Sequence, residues 1–170
     1  MILAFDSYYF ENSAKTVCVA INEWTSAEPS KIYTAVMEGI EEYVPGQFFK
    51  RELPCILSLF NQVDKTDIEA IVVDGYVYLD DEMQPGLGGH LYNALSQTIP
   101  VIGVAKSDFK TLTKLKYELY RGESVKPLYI TSIGIDMEVA FNNIKAMHGS
   151  FRIPTVLKTL DTLTKVVNEQ

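Results

Sequence analysis

Three acidic residues and one lysine stand where this sequence can turn charge into chemistry. Asp6 closes the apolar run Ile2-Leu3-Ala4-Phe5, Asp74 closes Ile71-Val72-Val73, and Lys106 closes Val101-Ile102-Gly103-Val104-Ala105. Glu52 lies on the apolar side of a stretch whose apolar residues fall at 49, 53, 56, 57 and 60, the spacing of one helix face. A lone ionised carboxylate against a core is costly, whereas three around a divalent cation such as Mg²⁺, with Mn²⁺ as the alternative ion, become oxygen ligands. In open α/β sheets ligand sites gather at the carboxyl ends of strands where the strand order reverses. Setting the first strand beside the one ending at Asp74 would bring Asp6 and Asp74 together, with Glu52 as the third acid.

Each of these residues also has an ordinary structural use. An acid before a glycine, as in Asp74-Gly75, forms turns or caps the next element. Glu52 could pair with Lys50 or Arg51, a lysine at a strand end reaches solvent, and His90, in the first turn of a glycine-entered helix, could pack as easily as bind. Pattern alone leaves both sets of readings open.

The elements that must position these side chains are legible in outline. Ile2 to Asp6, Thr16 to Asn22 and Ile32 to Glu38 read as strands joined by short turns, the last turn carrying Glu28-Pro29-Ser30, which predicts an antiparallel meander. Phe49 to Phe60 reads as a helix that Pro54 should kink or begin. Ile68 to Asp74, a helix from Gly88 to Gln97 entered through Pro85-Gly86-Leu87-Gly88-Gly89, and Val101 to Lys106 form a strand, helix, strand unit, hence a right-handed crossover and a parallel pair. Leu115 to Tyr120 and Leu128 to Ile133 predict a hairpin around Gly122. Met137 to Met147 and Thr155 to Val167 predict two closing helices, the second just after Pro154.

Composition narrows the class. With 170 residues and 47% apolar content, one domain spanning 1–170 has material for a sizeable core. A net charge of −7 repels phosphate backbones overall, so any nucleic-acid contact needs a local basic patch. Cys18 and Cys55 sit in apolar runs and read as buried thiols, which with the absence of a membrane-length apolar run predicts a cytoplasmic protein with no membrane contact.

Six stretches in order resemble the endonuclease V family. Tyr43-Val44-Pro45-Gly46 with Arg51-Glu52 resembles its Pro-Tyr-Ile-Pro-Gly wedge and following Arg-Glu, and Ile71-Val72-Val73-Asp74-Gly75 its strand ending in Asp-Gly. Gly86-Leu87-Gly88-Gly89-His90-Leu91 is similar to Gly-Leu-Ala-Ser-His-Leu, and Ile99 to Ser107 to Pro-Thr-Ile-Gly-Val-Ala-Lys-Ser. Val125 to Ile130 and Phe151-Arg152-Ile153-Pro154 echo two further stretches, so the resemblance covers nearly the whole chain.

The resemblance implies a ribonuclease H-like α/β fold, a central five-stranded mixed sheet with helices on both faces. It also implies hydrolysis of a phosphodiester bond near a deaminated base such as inosine, in DNA or RNA. On that basis Asp6, Glu52 and Asp74 would hold Mg²⁺ and Lys106 would counter charge on the phosphate. Tyr43, Val44, Pro45 and Gly46 would be the wedge, and Gly86, Leu87, Gly88, Gly89 and His90 would lend backbone groups to a base pocket.

The chain departs from the family pattern in three places. Thr131-Ser132-Ile133-Gly134-Ile135-Asp136 lacks the family's Gly-His step, and His148 is the only histidine besides His90. Leu79-Asp80-Asp81-Glu82-Met83 replaces a basic His-Pro-Arg segment, and Glu42 stands where the wedge begins with proline. These departures support a second expectation, a divergent relative without catalysis that binds a nucleic acid or a protein.

Overall fold

The computed structural model describes residues 1–40, 42, 44, 45 and 47–166. Tyr43 and Gly46 of the wedge, and Val167 at the expected end of the last helix, lie outside the described residues.

β1 (Ile2–Phe10) turns back through Glu11-Asn12 into β2 (Ser13–Ile21), and β3 (Lys31–Glu38) completes the antiparallel meander. After α1 (Phe48–Phe60), β4 (Ala70–Asp74) enters beside β1 and runs parallel to it. α2 (Leu87–Ala94) crosses over to β5 (Val101–Ala105), parallel to β4. β6 (Tyr117–Leu119) and β7 (Leu128–Ile133) form the expected hairpin, with β7 antiparallel to β5. α3 (Met137–Ala146) and α4 (Thr155–Lys165) close the chain.

Among the described residues seven strands join one sheet in the order β3-β2-β1-β4-β5-β7-β6. The five-stranded centre implied by the resemblance is therefore an undercount. β6 extends the sheet because Tyr117, Glu118 and Leu119 find partners on β7 that would otherwise be an edge. The direction of the chain reverses about β1 and β4, the central parallel pair, which makes their carboxyl ends the switch point.

Strand alternation divides the core into two layers. Leu3, Phe5, Ile71 and Val73 meet Ile56 and Leu59 of α1 and Leu91 of α2 on one face. Ile2, Ala4, Val72, Ile102 and Val104 meet Ile144 of α3 and Val156 and Leu160 of α4 on the other. Pro54 lies inside α1, where it cannot donate to the Lys50 carbonyl one turn back. The helix continues because Cys55, Ile56, Leu59 and Phe60 are all buried against the sheet, and each fully buried Leu, Ile or Phe side chain contributes about 1.5–3 kcal/mol.

Candidate active site

The register of three parallel strands assembles the site. Phe5 pairs with Val73, so the next residue on each strand is an acid, Asp6 on β1 and Asp74 on β4. Asp74 pairs with Val104, and two residues beyond Val104, on the same face by alternation, stands Lys106. Lys106 Nζ lies 3.9 Å from Asp74 Oδ2, with each side chain 43% exposed. Asp6, Asp74 and Lys106 line a cavity of about 30 Å³ between the strand tips and α4, walled by Leu128, Ile153 and Leu157.

Glu52 reaches the acids from the opposite layer. It lies on the buried stripe of α1 with Cys55, Ile56 and Leu59, and is 2% exposed. Burial, and then the charges of Asp6 and Asp74, push its carboxyl well above the usual range. Asp6 is raised to about 7 by burial and by Asp74, against the Ser7 amide, which donates to its Oδ1 at 2.9 Å, and the charge of Lys106. Burial raises Asp74 as well, while Lys106 holds it down. The ordinary pairing of Glu52 with a neighbouring lysine or arginine is not its main surrounding: Arg51 stacks its guanidinium 3.6 Å from the Tyr9 ring centre and only partly offsets the two aspartates.

A fourth acid joins from α4. Asp161 follows Leu160, a buried anchor of α4, and its charge raises both Asp6 and Asp74. Sequence reasoning passed over it because Asp161 and Lys165 form an i,i+4 pair at 3.0 Å that reads as surface solvation. The available signal was its place one residue beyond a sheet-facing leucine, after the Phe151 to Pro154 stretch.

Next to the acids is a larger cavity of about 230 Å³ whose walls include Phe48, Phe49, Gly75, Tyr76, Gly86 and Phe109. Tyr76 and Phe109 tilt against each other at 5.8 Å, and the Tyr76 hydroxyl donates to the Ser107 carbonyl at 2.5 Å. Gly86 allows the close approach, since a Cβ there would lie 2.6 Å from the Tyr76 carbonyl oxygen. Of the expected pocket residues, Gly86 and Leu87 line this cavity, while Gly88 and Gly89 pack against Val77. His90 stacks on Phe49 with ring centres 3.8 Å apart, and burial lowers its pKa. Val44 and Pro45 are exposed.

The sequence departures have structural uses. Asp136 caps α3, accepting from the Glu138 and Val139 amides, and His148 bonds Thr155 Oγ1 at 2.9 Å. In the acidic loop, Asp80 Oδ1 accepts from the Glu82 and Gln84 amides at 2.9 and 3.1 Å. Asp81 accepts from the Thr113 and Lys114 amides and the Thr113 hydroxyl, donors that pull its pKa down to about 2.

A family model described as Endonuclease V matches residues 1–162. The chain belongs to the endonuclease V family. Endonuclease V structures share its fold: that from Streptomyces avermitilis is 23% identical with a TM-score of 0.74, covering 96% of this chain and 79% of its own. That from Ciona intestinalis, in complex with a 24mer DNA containing an inosine followed by a ribo-adenosine, is 17% identical with a TM-score of 0.78, covering 96% and 84%. Human ENDOV is 20% identical with a TM-score of 0.73, covering 96% and 82%. A search of curated proteins found no match in sequence.

The endonuclease V resemblance implies a divalent metal, and the donor set of this chain fits one in type and charge. Beyond burial, Asp74 and Asp161 raise Asp6, Asp6 and Asp74 raise Glu52, and Asp161 raises Asp74, and a cation is the group that relieves such repulsion. Among the described residues no three His, Cys, Asp or Glu side chains already close around a common point, so ligation would draw these side chains together.

Proposed function

We propose that this endonuclease V family member is a divalent-metal-dependent endonuclease that hydrolyses a phosphodiester bond near a deaminated base, such as inosine, in DNA or RNA. The observation that carries this reading is the meeting of Asp6, Asp74 and Lys106 at the carboxyl ends of adjacent strands with buried Glu52 behind them, each acid raised. Asp6, Glu52, Asp74 and Asp161 are the residues that would hold the ion, Mg²⁺ or Mn²⁺. Bound there, a divalent cation supplies Lewis-acid polarisation of the phosphodiester and lowers the pKa of a water.

The residues of the chain do the rest. Lys106, 3.9 Å from Asp74, sits where negative charge grows on the phosphate as the bond breaks. The neighbouring cavity, with Phe49, Tyr76 and Phe109 in its wall, offers ring faces to a base turned out of its stack, and Gly75 joins that cavity directly to Asp74. The Ciona endonuclease V bound to inosine-containing DNA supports this substrate class.

Cleavage of end-labelled oligonucleotides carrying one inosine, single and double stranded, as DNA and RNA, in Mg²⁺ and in Mn²⁺, tests the proposal. A cut at one site near the inosine, lost in Asp74→Ala, is the expected result. Uncut substrate with folded protein, or cutting unchanged in Asp74→Ala, overturns it.

A further inference from the structure

The loop running from Met147 to Arg152 is built around a buried cation. Arg121, among the few charged side chains in the interior, donates from its guanidinium to the carbonyls of Met147 and Gly149 at 2.7 and 3.1 Å and of Phe151 and Arg152 at 2.6 and 3.4 Å. Gly122, with φ +60°, lets the chain pass so close that a Cβ there would lie 2.2 Å from the Ser150 carbonyl oxygen. Four carbonyls on one guanidinium hold this loop in a single shape. At its tip that shape presents Phe151, which is 78% exposed.

A single exposed ring is common on protein surfaces. This one, however, rims a groove of about 630 Å³ lined by Ser124, Glu123, Arg152, Ile153 and Lys158. Ile153 also walls the cavity that holds Asp6, Asp74 and Lys106, so the groove lies against that cavity across this side chain. In a chain of net charge −7, its lining carries two cations against one acid. The loop is also tied to the site by Arg152, which donates to the Lys106 carbonyl at 2.5 Å and to the Pro127 carbonyl at 2.7 Å.

We propose that this groove is a second nucleic-acid subsite, which takes an unpaired nucleotide flanking the scissile phosphate, its base stacked on Phe151 and its phosphate on Lys158. The inference rests on the nuclease reading and adds to it a preference for a strand that is single on that side. A paired base keeps its faces inside the helix, and only an unpaired one offers a face to a ring fixed in solvent. Lys158 is exposed, and a phosphate on it would add to the salt dependence of binding.

The experiment uses the Asp74→Ala chain, to prevent cutting, with single-stranded inosine oligonucleotides carrying 2-aminopurine at one of several positions on either side of the inosine. Stacking on Phe151 quenches the fluorescence at one position. Adding Phe151→Ala removes that quench and weakens binding roughly tenfold, equivalent to about 1.4 kcal/mol, whereas Phe151→Trp keeps both. Lys158→Ala lowers the slope of log affinity against log salt by about one. In the active chain Phe151→Ala raises KM and leaves kcat nearly unchanged, with Tm held because the ring is in solvent. Cleavage of inosine substrate with quench and KM indifferent to Phe151→Ala overturns the subsite and leaves the nuclease standing. Failure of the unmodified chain either to bind or to cut overturns both.

Discussion

Lys106 Nζ lies 3.9 Å from Asp74 Oδ2 across two neighbouring parallel strands, and this cation is the main influence holding the Asp74 carboxyl down against its burial. Removing the charge in Lys106→Met lets Asp74 rise further. Cleavage then falls about 100-fold, the loss expected when one electrostatic stabiliser of the reacting group is deleted, and the acid limb of the pH–rate profile moves to higher pH. A profile of unchanged shape in the variant contradicts the coupling.

Asp6, raised to about 7 from an ordinary 3.8, makes the metal-free fold sensitive to alkali. The folded state holds this proton more tightly than the unfolded chain, so the stability linked to it is full below the unfolded pKa and is lost as pH rises through about 7. Metal-free Tm therefore declines between roughly pH 4 and 8. Asp74→Asn removes one source of the raise and flattens that decline, which thermal melts across this range measure.

The same protons must leave before the acids can ligate. Mg²⁺ or Mn²⁺ therefore raises Tm more at pH 8 than at pH 6, because a ligand bound only to the folded state stabilises it by mass action and the acids are freer to ligate once ionised. Asp74→Asn abolishes most of the increment. An equal increment at both pH values, or one that survives the substitution, contradicts the assignment.

Arg121→Met keeps the length of the side chain but leaves the carbonyls of Met147, Gly149, Phe151 and Arg152 without their shared donor. Breaking such a buried charged network costs about 3 kcal/mol. Because Arg152 of that loop holds the Lys106 carbonyl, cleavage falls as well, even at temperatures where the variant is folded. Denaturant unfolding and kcat at low temperature separate the two effects.

Asp81 fastens the 79–83 loop to Thr113 and Lys114, with its pKa pulled down to about 2. A lowered acid contributes above its unfolded pKa and loses that contribution as pH falls through the folded one, so this fastening holds from neutrality to about pH 4 and fails toward pH 2. Asp81→Ala opens it at any pH. Hydrogen exchange at the Thr113 and Lys114 amides, faster in the variant at pH 7, measures the change.

The sequence by itself determined the elements in outline and the parallel pairing of β4 with β5. Runs such as Ile71-Val72-Val73 and Val101 to Ala105 are apolar on both faces, which only a strand covered by helices on each side can satisfy, and the glycine-entered helix between them forces a parallel crossover. The sequence thus placed Asp6, Asp74 and Lys106 at strand ends, while the register that puts them on one face was set by the pairing of the strands in the fold. Tertiary structure decided the rest of what comes to meet them. Glu52, already offered by its helix face as the third acid, arrives from the opposite layer, and Asp161, which the sequence reading passed over, comes from a helix in which its local partner Lys165 masks it. Phe49, Tyr76 and Phe109 wall one cavity from separate elements, and Arg121 gathers carbonyls some 30 positions away. Local spacing reports which face a residue takes, because backbone geometry sets it within a few residues. Which faces then meet is settled by packing between segments far apart in the chain, and no local pattern carries that information.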